Sequence, residues 1–137
     1  MASIIMMVLV ASVLAGCATG PKGPTDQELI TTTVKSFTEA LLLKNIDALM
    51  ATVSENFYHP EVGDKAAAKD MLGQGMDSGY VDNGAIDLDN MEIKIEGDTA
   101  EAYPIVASAP AGSVTVGLTL KKENGAWLIT AINVEGI

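Results

Sequence analysis

Apolar residues change their spacing once along this chain, and that change sets the class of fold it can adopt. Ile30, Val34, Phe37 and Leu41 step by four, three and four, which places them on one face of a helix. From Ile86 onward the step is two. Met91, Ile93 and Ile95 alternate with Glu92, Lys94 and Glu96, while Val114, Val116, Leu118 and Leu120 alternate with Ser113, Thr115, Gly117 and Thr119. That is the pattern of strands with one face on a core and the other in water. Helices first and sequential strands afterwards imply an α+β arrangement, with the helices packed on one face of an antiparallel sheet of about four to six strands.

Local chemistry marks the element ends. Thr25-Asp26-Gln27-Glu28 has the form of a capping box ahead of the first helix. Asn45 can cap a second short helix carrying Ile46, Leu49, Met50 and Val53. Phe57-Tyr58-His59-Pro60 reads as a short extended piece before a turn, and Asp64 caps a third helix that Gly73 and Gly75 are expected to end. Gly97-Asp98 turns the chain between strands, and Pro104 argues for an edge or a bulge in the second of them. Asn124-Gly125 is a strong hairpin signal. The last strand, Trp127 to Val134, is apolar on both faces and is expected to be central or doubly covered.

The start of the chain has a different character. From Ile4 to Ala15 only Ser12 is polar. About 12 residues of helix span near 18 Å at about 1.5 Å each, short of a hydrocarbon core of about 30 Å. The run has the length of a signal-peptide apolar region. It ends in Leu14-Ala15-Gly16-Cys17, which resembles the lipobox of bacterial lipoproteins. That resemblance implies a signal peptide over residues 1–16 and a cysteine whose sulfur carries a diacylglycerol and becomes the new N-terminus. It also accounts for an unpaired thiol, since Cys17 is the only cysteine. The leader departs from the lipoprotein pattern in having no Lys or Arg before the apolar run. The other reading is an uncleaved membrane helix from Met1 to about Ala18. Residues 17–24 would be the lipidated cysteine and a tether through Ala18-Thr19-Gly20-Pro21-Lys22-Gly23-Pro24, and residues 25–137 the folded domain. On this reading the protein is exported, anchored to the cell membrane or outer membrane, with its domain outside the cytoplasm.

Charge excludes some partners. Eighteen Asp and Glu against eight basic residues give a formal net charge of −10, which repels phosphate backbones, so no nucleic acid is expected. With one His and one Cys, a Cys/His zinc site is impossible, and no metal is expected. No P-loop, dinucleotide fingerprint, nucleophile elbow or HExxH is present, and no cofactor is expected.

The element order is similar to the nuclear transport factor 2-like superfamily, also called SnoaL-like or cystatin-like α+β domains. The residues that carry the likeness are Phe37-Thr38-Glu39-Ala40-Leu41, Asn45-Ile46-Asp47-Ala48-Leu49-Met50, Phe57, Gly97-Asp98-Thr99-Ala100 and Gly125-Ala126-Trp127-Leu128-Ile129. The resemblance implies a sheet curved around the helices to leave a conical pocket. Its members include isomerases, dehydratases, cyclases and many non-catalytic modules, so the fold does not decide activity.

Phe37, Tyr58, His59, Met71, Met76, Tyr103 and Trp127 are the side chains suited to lining such a pocket. With few aromatics, the lining would be mainly aliphatic and methionine, which suits an apolar ligand. His59 is the sole imidazole, the side-chain type that titrates nearest neutrality. No pattern places a carboxylate beside a tyrosine hydroxyl, so no catalytic residue is assigned. Three functions follow: a non-catalytic domain binding a small apolar ligand, a cofactor-free isomerase, dehydratase or cyclase using a pocket carboxylate or His59, and a dimerising or envelope-protein interaction module.

Overall fold

A computed structural model describes residues 23–136. The positions expected to form a signal peptide and lipobox, Cys17 among them, lie outside the described residues. Helix α1 (Asp26–Leu42) begins where the Thr25 side chain accepts the Glu28 amide at 3.2 Å. It buries Ile30, Val34 and Phe37, the spaced apolar positions, against the sheet. Helix α2 (Ile46–Met50) is capped by Asn45, whose side chain accepts the Ala48 amide at 3.1 Å. Strands β1 (Tyr58–His59) and β2 (Gly63–Asp64) form a small antiparallel pair, and Asp64 caps α3 (Lys65–Asp77) by accepting the Ala67 amide.

Gly73 and Gly75 do not end α3; the helix continues to Asp77. A mid-helix glycine costs about 1 kcal/mol relative to alanine. Carrying the helix one turn further seats Met76 in the core, and burying such a side chain stabilises by about 1.5–3 kcal/mol.

Five strands make the main sheet: β3 (Ala85–Asp87), β4 (Glu92–Glu96), β5 (Thr99–Ala109), β6 (Gly112–Glu123) and β7 (Ala126–Glu135). All pairings are antiparallel, in the order β3-β5-β6-β7, with β4 on the same edge of β5 as β3. β4 pairs with β5 through Tyr103 and β3 resumes at Val106. Pro104 falls in the gap between the two partners, inside a register shift between Ala102 and Ile105, where its missing N–H costs no ladder bond. Asn124 and Gly125, both at positive φ, turn β6 into β7.

β7 is not central: it ends the sheet. The shift of register between Thr119 and Leu120 leaves Thr130 unpaired, so Trp127 and Ile129 before it and Ile132 and Val134 after it share one face. An inserted residue reverses the parity, which is why the run reads as apolar on both faces. The free edge is covered by residues 52–54, through Ser54 N–H to Ile129 O at 2.8 Å and Ile129 N–H to Thr52 O at 2.9 Å.

The N-terminal elements are held to the β6–β7 hairpin by two carboxylates. Asp26 Oδ1 accepts from Trp127 Nε1 and Lys122 Nζ, each at 3.0 Å, and Thr33 Oγ1 donates to Trp127 O at 2.8 Å. Beside them, Glu123 accepts from the Ser54 hydroxyl and from Asn56 Nδ2, with Ser54 itself fully buried.

Candidate functional site

Register and burial together describe the concave face. Ala100, Leu120 and Ile129 form one cross-strand row and are buried. The next row, Ala102, Leu118 and Ile132, is buried except for partial exposure at Ile132. In the third, Ile105 is buried, Val116 half-buried and Val134 40% exposed. Beyond it Ile86, Ala107 and Val114 are all half-buried. Burial along this face thus falls from the row beside Trp127 toward the β5–β6 turn, and the part-exposed side chains of the outer rows are apolar.

The pocket candidates separate into three groups. Phe37, Met76 and Trp127 are buried in the central core. Tyr58 and Met71 are 62% and 50% exposed, and His59 is partly exposed beside Tyr58. β1, which carries Tyr58 and His59, packs against β7. His59 Nδ1 accepts the Glu61 amide at 3.1 Å, and its carbonyl accepts the Val62 amide. One ring nitrogen is therefore engaged in its own turn, leaving Nε2 to carry the proton of the neutral ring. Among the described residues no three His, Cys, Asp or Glu side chains converge as a metal ion requires.

Tyr103 lies on the opposite, outward face. The buried Ala100 and Ala102 fix the parity, so Glu101 and Tyr103 point away from the helices. The Tyr103 hydroxyl donates to Glu135 Oε2 at 3.2 Å, reaching from β5 over β6 to β7. It crosses at Gly117, where a Cβ would stand 3.3 Å from Tyr103 Cδ2. A Cβ there would require the ring to give by a few tenths of an ångström, and a larger side chain would compete with it for the same place on the sheet. Glu101, Tyr103, Gly117, Thr119, Asn133 and Glu135 line an open groove of about 390 Å³. The negative charge of Glu135 and the hydrogen bond to it raise the Tyr103 phenol above its ordinary value, because removing its proton would set two anions side by side.

This tyrosine–carboxylate pair escaped the sequence reading because its members are 32 positions apart. A signal was available: outward parity for both residues, with a glycine between two apolar inward positions marking where a large side chain can cross. The Asp26 and Glu123 anchors are likewise long-range. The hydrogen bond from Trp127, then that from Lys122, lowers the Asp26 carboxyl below its ordinary value. Bonds from Ser54 and then Asn56 do the same for Glu123.

Among the described residues, three helices pack on a curved five-stranded antiparallel sheet, an α+β fold like that of nuclear transport factor 2-like, or cystatin-like, domains. Solved structures agree. A cystatin-like protein of unknown function from Nostoc punctiforme superposes with a TM-score of 0.66 at 16% identity, over 80% of this chain and 91% of its own. A candidate ketosteroid isomerase from Shewanella frigidimarina gives 0.65 at 20% identity, over 78% of this chain and 94% of its own. An NTF2-like protein of unknown function from Pseudomonas putida gives 0.66 at 12%, over 79% and 84%. At such identities the likeness establishes the fold alone. No protein-family model matches the chain, and no curated protein matches it in sequence.

Proposed function

We propose that this protein is an envelope lipoprotein, tethered through Cys17, whose domain receives a small apolar ligand at the open end of the concave sheet face and performs no bond-making chemistry. The observation that carries the ligand reading is the gradient along that face, from fully buried Leu120 and Ile129 to half-exposed Val114, Val116 and Val134. Apolar side chains left part-wet at the mouth of a pocket fold gain by covering, at about 25 cal/mol per Å² removed from water. The absence of chemistry is supported by where the reactive groups lie. Tyr103 and its carboxylate partner Glu135 are on the other face, and His59 Nδ1 is engaged by the Glu61 amide. An isomerase-type site needs an acid or base and an oxyanion donor converging on one substrate. The tether reading is supported by Leu14-Ala15-Gly16-Cys17 after the apolar run.

Two measurements test the halves separately. Cells fed radioactive palmitate are expected to label the wild-type chain and leave Cys17→Ser unlabelled; equal labelling, or none in either, removes the tether. Native mass spectrometry of the full chain after incubation with a fatty-acid and lipid panel is expected to show a one-to-one adduct. A bare mass across the whole panel would remove the apolar-ligand reading.

A further inference from the structure

The outward groove is built from different materials than the concave face. Its centre is the Tyr103 ring, laid over Gly117 and held by Glu135. Glu101 stands beside Thr119 and Glu135 beside Thr115, on opposite flanks of β6. Two strand spacings across and four residues along separate their Cα atoms by roughly 16 Å, with the aromatic ring between them. Glu92 and Glu96 share this face with Lys94 and Lys121, and Lys94 is the cross-strand neighbour of Glu101. None of the ion pairs among the described residues engages Glu101 or Glu135.

We infer that this groove is a docking site for a basic segment of a protein partner, with one lysine or arginine at Glu101, a second at Glu135, and the chain passing over Tyr103. Charge complementarity selects the sign: two carboxylates engaged in no salt bridge among the described residues, in a chain of net charge −10, attract cations. An exposed aromatic face between them adds a cation–π or stacking contact. An open groove cannot enclose 70–90% of a small molecule's surface, roughly what a pocket ligand requires, so a chain contacting several points fits it better. The span sets the spacing. Residues four apart in an extended chain point the same way and are about 13 Å apart, and flexible basic side chains reach the rest. This site lies across the sheet from the proposed apolar mouth and is independent of it.

The test uses the full chain in a neutral detergent and two blocked pentapeptides of one composition. The first has lysine at both ends of Ser-Val-Ser; the second has the two lysines adjacent. Binding is followed by amide NMR shifts at Gly117 and Asn133. The end-spaced peptide is expected to bind more tightly, with Kd weakened roughly fivefold by Glu135→Gln and by Glu101→Gln, the scale of an exposed ion pair. Glu96→Gln makes the same charge change outside the groove and is expected to leave Kd unaltered. Equal binding of both peptides, equal weakening by Glu96→Gln, no shifts at Gly117, or a homodimer by sedimentation that covers this face would each overturn the proposal. Glu135→Gln and Glu101→Gln are expected to melt within a few degrees of the wild type, which guards against a folding artefact.

Discussion

Gly117 shows how one residue can matter through what it lacks. Its missing side chain lets the Tyr103 ring lie on the sheet and reach Glu135. Glu135→Gln removes the negative charge that holds the phenol proton, so Tyr103 should titrate at lower pH than in the wild type. Among three tyrosines it is the one expected to move in a spectrophotometric titration of phenolate. Gly117→Val should lower it in the same way, by displacing the ring instead of removing the charge. An unchanged profile in both variants would mean the pair does not form. Trp127 fills space and also donates its indole N–H to Asp26. Trp127→Phe should therefore cost about 2–3 kcal/mol in chemical unfolding, from lost volume and a lost donor together.

At the scale of elements, two predictions follow from how the helices are held. Gly73 has open space where a Cβ would go, and Gly75 has only Tyr80 Cδ2 at 3.9 Å. Both lie inside α3, so Gly73→Ala and Gly75→Ala should each stabilise by about 0.5–1 kcal/mol, read as a rise in Tm. Loss of stability in both would restore the helix stop that glycine suggests. The second concerns acid. Asp26 ties α1, and Glu123 ties residues 54–56, to the β6–β7 hairpin, and both carboxyls titrate below their ordinary values in the folded state. A lowered folded-state pKa contributes stability above the unfolded-state value, and that contribution is lost as pH falls through the lowered folded value. Thermal unfolding followed from neutral to strongly acid pH should show this loss, and Asp26→Asn with Glu123→Gln should flatten it. The caps at Thr25, Asn45 and Asp64 and the Asn124-Gly125 turn were legible in the sequence because they are local: donor and acceptor lie within a few residues. The end of α3 and the place of β7 were not, because each depends on a distant partner. Met76 draws α3 onward into the core, and the bulge at Thr130 aligns Ile132 and Val134 with Ile129.

Across the helix-facing side of the whole sheet burial falls from one end to the other, and the same substitution chemistry should give different answers at the two. The change of spacing at Ile86 made the layers readable, since a core face must repeat with the element that carries it. It could not tell that Phe37, Met76 and Trp127 would be sealed in the centre while Tyr103 faces outward, since period alone gives parity and not depth. Depth is what the proposed ligand site depends on. Leu118 lies fully buried in the second row, so Leu118→Ala should cost about 3 kcal/mol, with the spread set by how far the cavity collapses. Val134, in the third row and 40% exposed, should tolerate Ala at about 0.5 kcal/mol. Val134→Asp places a charge at the mouth, where an apolar ligand would have to desolvate it. An uncharged apolar reporter dye such as N-phenyl-1-naphthylamine should therefore brighten with the wild type and with Val134→Ala. It should stay dim with Val134→Asp. If dye bound Val134→Asp as brightly as the wild type while both melted at the same temperature, the open end would not be where apolar molecules go.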